Sequence, residues 1–428
     1  MVYRTILTTV LIIGIRIYQS VAQPRFGGFL QLDKRFVIGG DSTYIDDFYN
    51  RFRFELKDPI SSRLYFVSSL DLRFYDFPNP KSLTDLEQRN SDFPYELSIW
   101  EAFIDVYGFL FDNLDLRIGK QRIAWGKADK LNPTDNLNPN DFSDLIHFTD
   151  MVPSWAIKGS WYFGEQRLTG VWLPGITPIL LPHKGSELFL GDSESFNDAL
   201  HLPNHTPNNS MFAFQLDGSI DKWDYTLNYF NGFDDIPLPT RLILNHASST
   251  QPEIKMEFPR MQVIGIDLAS DLHGVGVWTD AGLFIPKKVE LITEINEVVT
   301  RRESELGHIP YLKFTLGGDY NFSNGYYLNV QWMHGFYTQR GAGALNDYLV
   351  TKIEKKLRND DLLISFTNSL EIKDWKTMGE GLLPELTYQG IDNFEAGVGA
   401  FIVTGTPGTL LQRWEELDQL YVKFRVDF

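Results

Sequence analysis

An all-β fold, a single transmembrane antiparallel β-barrel, is predicted by three features of this 428-residue chain. Segments of about ten residues alternate apolar and polar side chains, an apolar leader opens the chain, and an amphipathic segment closes it on an aromatic residue. After the leader, no stretch approaches the roughly 18 apolar residues that a membrane-spanning helix needs. The 32 Phe, 19 Tyr and 10 Trp residues therefore need a fold that uses aromatic side chains without long apolar runs.

Residues 1–22 are predicted to be a secretory signal peptide. Arg4 supplies a basic start, residues 6–15 are apolar, and Ser20-Val21-Ala22 is a small-residue cleavage site. The apolar stretch is too short to cross a bilayer. We expect the rest of the chain, residues 23–428, to form one barrel domain.

Period-two alternation follows along most of the chain. In 47–56, Phe52 and Phe54 share one face while Arg51 and Arg53 share the other, and the pattern recurs at 63–74, 114–121, 223–229 and 312–319. This pattern is typical of strands with one apolar face. In a transmembrane barrel the apolar face meets lipid and the charged face lines a wet lumen.

The end of the chain favours the barrel over a soluble β-sandwich. Apolar and charged residues alternate up to the terminus, with Leu420, Val422, Phe424, Val426 and Phe428 on one face. A final strand with a terminal aromatic residue resembles the assembly signal of Gram-negative outer-membrane barrels. This resemblance implies an outer-membrane location, outer-membrane lipid around the barrel and the barrel-assembly machinery as a partner.

Connections alternate between short and long. We assign the short turns to the periplasm: 57–59, 164–166, 218–221, 270–271 and 323–325. We assign the long connections to the cell exterior: 37–46, 76–94, 124–153, 175–209, 232–258, 286–309, 338–360 and 405–416. Seventeen strand candidates are visible, but two periplasmic termini require an even number. Splitting 373–389 into crossings at 373–380 and 381–389 gives eighteen strands. Demoting 166–174 gives sixteen as the alternative.

Helical spacing of apolar residues predicts helices in two of the long loops. Leu291, Ile295 and Val298 have this spacing within 290–306, and Leu345, Leu349 and Ile353 have it within 344–358. Such helices would cap or plug the barrel mouth.

Composition limits the function classes. The net charge of −17 argues against a nucleic-acid partner, since nucleic-acid binding usually needs a basic patch. The absence of Cys removes thiolate nucleophiles, Cys-ligated zinc and iron–sulfur clusters. The pair His201 and His205 flanks Pro203, which disfavours a metal-binding helix, so we expect neither a metal nor another cofactor.

A distinctive stretch covers residues 116–144. It contains two imperfect units, 131–136 and 137–142, each beginning Leu-Asn-Pro, and Asn-Pro pairs favour a rigid turn-rich loop. Together with 101–105 and 386–388, this stretch resembles a broad group of outer-membrane proteins related to alginate-export and porin-like barrels. The resemblance implies a channel, or a conduit for a hydrophobic or glycan cargo.

Charged residues on the polar strand faces are predicted to line the pore: Arg51, Arg53, Arg63, Asp71, Arg73, Glu101, Asp105, Asp115, Arg117 and Gln121. In general porins the third external loop folds inward and narrows the pore. That resemblance implies a constriction in which loop acids face the arginine-rich wall: Asp135, Asp141, Asp144 and Asp150. The alternative is that the wall arginines pair with acids on neighbouring strands and tie the wall together.

The sequence therefore predicts an outer-membrane channel for passive passage of small solutes. One alternative is a conduit for lipidic or polysaccharide cargo that works with periplasmic partners. Another is a surface adhesin or scaffold that acts through 175–209 and 232–258. No G-x-S-x-G, P-loop or convincing Ser/His pair is visible, so an enzyme is not expected. Self-association into a homo-oligomer is left open.

Overall fold

The computed structural model describes residues 23–40, 43–46, 48–75, 95–146, 150–181, 197–244, 252–296 and 298–428. The predicted signal peptide, 1–22, lies outside the described residues. Eighteen antiparallel strands form one closed barrel, which confirms the predicted fold class and strand number. The alternative of sixteen strands is wrong, because residues 166–173 pair with a neighbouring strand on both edges.

The barrel strands are numbered β1–β18 in chain order. They are β1 Arg25–Val37, β2 Asn50–Ser61, β3 Leu64–Phe74, β4 Tyr95–Val106, β5 Leu114–Gln121, β6 Ser154–Phe163, β7 Gln166–Leu173, β8 Met211–Ile220, β9 Trp223–Phe233, β10 Arg260–Leu272, β11 Val275–Pro286, β12 Tyr311–Asn321, β13 Tyr326–His334, β14 Asp347–Leu357, β15 Leu362–Asp374, β16 Thr377–Ile391, β17 Phe394–Gly405 and β18 Gln419–Asp427. Among the described residues, two short 3-10 helices lie outside the wall, at Pro207–Asn209 and Leu411–Leu417.

Closure occurs between the first and last strands. The register of β1 and β18 runs from Phe29 opposite Asp427 to Val37 opposite Gln419, and Phe428 exchanges backbone hydrogen bonds with Gly28 at 3.1 Å. The Phe428 ring stacks on Phe52 at 6.0 Å on the outer face. Both ends of the barrel domain therefore lie on the periplasmic side, at the end of the barrel that carries the short turns.

The apolar strand faces point outward. Leu420, Phe424 and Val426 of β18 are each more than 40% exposed, whereas Tyr421 between them is buried. Four tryptophans have the same outward orientation, which suits the aromatic girdles at the membrane interfaces of such barrels: Trp155, Trp161, Trp223 and Trp332. Polar and charged residues fill the opposite face, as a water-filled lumen requires.

The two predicted loop helices are wrong. Residues 347–357 form the wall strand β14, and 289–295 pairs with 298–306 as a β-hairpin. The long external loop predicted at 338–360 is consequently shorter, 335–346, because β14 follows it. No helix among the described residues is long and apolar enough to cross a membrane.

The strand that raises the seventeen sequence candidates to eighteen is therefore β14. The predicted division of 373–389 into two strands is wrong. A single strand, β16, runs from Thr377 to Ile391. The turn after Asp374, predicted to be periplasmic, lies on the extracellular side between β15 and β16. Several turns fall a few residues beyond the predicted positions; β2, for example, continues through Pro59 to Ser61.

A separate five-stranded sheet lies in the extracellular loops. It consists of Asn197–His201, Leu238–Leu244, Glu253–Glu257, Val289–Ile295 and Val298–Leu306, and it is called the external sheet below. Three different loops contribute to it, which ties the extracellular ends of β7–β12 together. A further short strand, Tyr44–Asp46, extends the pairing of β1.

Candidate functional site: an inner loop that crosses the lumen

The connection between β5 and β6, residues 122–153, is called the inner loop; all of it except 147–149 is described. Its side chains are largely buried, although it belongs to no strand ladder. Phe142, Leu137 and Trp125 are at most 4% exposed. Buried side chains between strands that carry polar inner faces place this loop inside the barrel.

Two wall aspartates hold the first part of the inner loop. The Asp280 carboxylate on β11 accepts hydrogen bonds from the backbone N–H groups of Lys127 and Ala128, at 3.0 and 3.2 Å. Asp267, directly across from Asp280 in the β10–β11 register, accepts the Thr134 hydroxyl at 2.7 Å. Both aspartates are fully buried, and Asp267 also accepts a hydrogen bond from the Asn228 amide on β9 at 2.8 Å.

Close backbone approach at this contact requires a glycine. Gly126 has a φ of +93°, and a Cβ there would lie 2.5 Å from an Asp280 carboxylate oxygen and 2.8 Å from Asn132. A side chain would therefore push the loop away from the wall.

Neighbouring strands bind the loop backbone as well. The Thr315 hydroxyl on β12 donates to the Leu131 carbonyl at 2.7 Å, and the Gln331 amide on β13 donates to the Asp129 carbonyl at 3.1 Å. The Tyr337 hydroxyl, from the loop after β13, accepts the Asn132 N–H at 3.0 Å and donates to the Lys130 carbonyl at 2.6 Å. Wall side chains thus satisfy backbone groups that water would otherwise have to reach.

The second part of the inner loop contacts another section of the wall. Arg73 on β3 donates to Asp141 at 3.0 Å and to Ser143 at 2.6 Å. Arg35 on β1, fully buried, binds Asp144 through two bonds of 2.8 Å and also binds Asp33. Since β1–β3 and β10–β13 are separated by many strands in both directions around the barrel, the inner loop spans the lumen.

Within the loop, Asp135 pairs with Arg122 at 2.6 Å rather than with the wall. Burial raises the pKa of the Asp135 carboxyl, and the neighbouring Arg122 acts against this rise. The Asn138 side chain accepts the Ile123 N–H at 2.7 Å, so this pair and this amide set the local shape of the loop.

Beside the loop, the β1–β3 and β17–β18 walls leave a cavity of about 400 Å³. Basic and acidic side chains both line it: Arg51, Arg73, Lys423, Arg425, Asp141, Asp144, Asp150, Glu395 and Asp427. Arg51 and Arg53 share the single carboxylate of Asp71, with hydrogen bonds of 2.8 and 2.6 Å, and both guanidinium groups lie over the Trp100 ring. The wall is therefore positively charged here, opposite acids of the inner loop.

The structure brings some of the predicted pore residues to this cavity and places others elsewhere. Arg117 pairs with Asp105 at 2.6 Å on the adjacent strand, which matches the alternative of wall cross-linking. Gln121 is fully buried and donates to the Ala156 carbonyl, and Glu101 accepts the Arg122 N–H at 2.8 Å.

Two predicted pore residues lie at periplasmic turns instead. Arg63 contacts Asp112 with its side chain 67% exposed, and Asp115 accepts the Gly108 N–H at 3.0 Å. Neither residue is part of the passage beside the inner loop, because the loop enters from the extracellular end.

Sequence reasoning found Arg73 but missed several other residues that hold the loop. Arg35, Asp267 and Asp280 occupy polar-face positions of amphipathic strands, which was their only visible signal. A second buried pair joins Arg340, from the loop after β13, to Asp234, from the loop after β9. Arg340 and backbone hydrogen bonding hold the pKa of Asp234 low despite burial. Among the described residues, no group of three His, Asp or Glu residues could hold a metal ion.

Comparison with known proteins shows the fold alone. No family model and no curated protein sequence matches the chain. Pseudomonas aeruginosa OccK8 (OprE) is similar in structure, with a TM-score of 0.53 and 8% identity over 96% of this chain and 99% of that chain. Pseudomonas aeruginosa OccK9 (OpdG) has a TM-score of 0.52 and 10% identity over 95% of this chain and 97% of that chain.

Architecture and comparison together define the class. The chain is a closed antiparallel β-barrel of eighteen strands with a porin-like fold. Its predicted location in the outer membrane of a Gram-negative bacterium, with outer-membrane lipid around the barrel, belongs to the function proposed below. The predicted resemblance to alginate-export barrels stays an expectation, since no family model matches.

Proposed function

We propose that this protein is a passive channel for small solutes, in which the inner loop forms the constriction. The observation that carries this proposal is the loop that spans the lumen and leaves a charged cavity of about 400 Å³ beside it, which we take to be part of the passage. The proposal makes the protein a transporter rather than an enzyme. The solute, the barrel-assembly machinery and self-association into oligomers belong to the proposal as well.

The passage supports selection by a local field rather than by net charge. Arg51 and Arg425 lie on the wall side, whereas Asp150 belongs to the inner loop, and all three line the same space. Opposed charges across a narrow aqueous gap orient dipoles and filter ions. The acidic net charge of the whole chain therefore does not decide selectivity.

Within its described residues, the structure does not contain the helices that the alternative function, a conduit for lipidic or polysaccharide cargo, was expected to need. It required helices at 290–306 and 344–358 to close the lumen, and over these segments Val289–Ile295, Val298–Leu306 and Asp347–Leu357 are β-strands. The adhesin alternative depends on 175–209 and 232–258, parts of which lie outside the described residues.

A planar-bilayer experiment with a salt gradient tests the proposed function. We expect stable single-channel current, and the reversal potential should move in opposite directions for Arg51→Gln and Asp150→Asn. Arg63→Gln, at the exposed periplasmic turn, is the matched control and should leave the reversal potential unchanged. A folded barrel that passes no current contradicts the proposal, as does a reversal potential that neither passage variant shifts.

A further inference from the structure

A second cavity, of about 640 Å³, lies outside the lumen between the external sheet and the barrel rim. It falls within the size range of small-molecule sites, about 300–1,000 Å³. Three extracellular loops and the ends of β9–β11 build it, so it is called the external cavity. The channel function does not account for a cavity in this position.

One side of the external cavity is apolar. Phe233 and Phe258 are at most 9% exposed, and Val289 and Ile292 of the external sheet are half-buried beside them. These four residues are called the apolar wall. They offer a surface on which a ligand can bury hydrocarbon or an aromatic ring.

The rim of the external cavity is basic. Arg241, Arg260, Lys287 and Lys288 line it, against two acids, Glu257 and Glu290. Lys288 pairs with Glu290 at 2.6 Å, and Arg241 pairs with Glu294 at 2.9 Å. Within the described residues, no carboxylate lies within 4.0 Å of the charged groups of Arg260 or Lys287.

The Arg260 guanidinium is pre-organised to bind an anion. Its guanidinium donates to the carbonyls of Asn208 and Ser210, each at 2.9 Å, and lies over the Phe233 ring at 4.6 Å. The group has further N–H donors beyond these two contacts. Because its position is already fixed, a ligand loses little free energy in ordering it.

We propose that the external cavity binds a small organic anion with an apolar body, whose charged group contacts Arg260 and Lys287. The apolar wall contacts the body of the ligand, which distinguishes it from an inorganic ion. Phe233 lines both this cavity and a smaller space beside the inner loop, so the site adjoins the interior. The shared chemistry fits a free amphiphilic solute or the headgroup region of an anionic lipid. The inference goes beyond the channel and does not depend on it.

Calorimetric titration of the full chain in phosphatidylcholine nanodiscs tests the site, with 2-naphthoate as the probe. We expect saturable binding of 2-naphthoate above the empty-nanodisc background, and much weaker binding of acetate and of 2-naphthylmethanol. Lys287→Gln should weaken 2-naphthoate binding about fivefold, the order expected for one partly exposed charge contact. Lys222→Gln, at a periplasmic turn, is the matched control and should bind as the wild type does.

A second variant keeps the test independent of charge. Thr240 lines the external cavity, and Thr240→Trp should fill it and abolish binding while the barrel remains folded. Nanodiscs that contain phosphatidylglycerol distinguish the two sources of ligand: competition with 2-naphthoate indicates a lipid headgroup, and undiminished binding indicates a free solute. Absence of saturable binding overturns the proposal, and so does equal affinity in the wild type, Lys287→Gln and Thr240→Trp.

Discussion

The inner loop and the external sheet satisfy their backbones in different ways. Strands of the external sheet pair with one another, so main-chain groups bond to main-chain groups. The inner loop forms no such ladder and makes few main-chain hydrogen bonds, and side chains of the wall and of the loop after β13, such as Asp280, Thr315 and Tyr337, bind much of its backbone. The position of the inner loop consequently depends on individual side chains, whereas the external sheet should tolerate single surface changes.

Arg35→Gln should give the largest effect, because it removes a buried charge that serves both Asp33 and Asp144. Leaving buried carboxylates without their cation costs about 3–5 kcal/mol in the free energy of unfolding. Denaturant unfolding of the barrel in lipid vesicles measures this loss. Arg167→Gln, whose pair with Asp217 is more exposed, is the control and should cost less than about 1 kcal/mol. Equal losses in both variants would contradict the difference in burial.

Asp235→Asn should change the pH dependence of stability. Burial, together with the charge of Asp234, raises the pKa of Asp235 to about 6, while Arg340 opposes the rise. The folded state therefore keeps a proton that the unfolded state loses at about pH 4. Stability should fall as pH rises from about 4 to 6, by up to about 3 kcal/mol, and Asp235→Asn should flatten this change. Denaturant unfolding at several pH values checks it, and identical pH slopes in the two proteins would refute it.

Asp280→Ala should release the first part of the inner loop. The N–H groups of Lys127, which is partly buried, and of Ala128, which is buried, lose their acceptor, and this costs about 1–3 kcal/mol in total. Single-channel conductance should increase as the loop moves off the wall. Asp217→Ala changes the same residue type on β8 near the periplasmic end, and its conductance should stay at the wild-type value. If the conductance of Asp280→Ala is no higher than that of this control, Asp280 does not hold the inner loop against the wall.

Arg241→Gln in the external sheet should give the smallest effect. Its pair with Glu294 at 2.9 Å is half exposed, and such pairs contribute about 0–1 kcal/mol. Neither unfolding in vesicles nor single-channel conductance should change measurably. A marked change in conductance would show that the external sheet also controls the passage.

The strands were predicted correctly where apolar residues alternate with a clear period of two. The prediction failed where the same apolar residues fit both a strand period of two and a helix period of 3.6. Leu349, Ile353 and Leu357 are four residues apart, which places them on one face of a helix and equally on one face of a strand. The paired register of β14 with β13 and β15 decides for the strand, and that pairing is invisible in a single segment. The even strand number was predictable from the termini. The position of the strand that the sequence analysis had not found, β14, was not predictable.

The candidate site was predictable in part. Arg73 and Asp141 were selected as opposing charges, and the structure brings them to 3.0 Å. Asp267 and Asp280 could not be selected, because they lie more than 130 residues from their loop partners in the sequence. Only the closed barrel shows which section of wall the inner loop meets.

The size limit for passage tests most directly whether the inner loop forms the constriction. Swelling of liposomes that contain the wild type or the Arg35→Gln/Asp280→Ala double variant can be followed with sugars of increasing size. We predict that the wild type admits only the smaller sugars and that the double variant, with its loop released from both walls, admits larger ones. The same size limit in both proteins, with both barrels folded, would contradict the account.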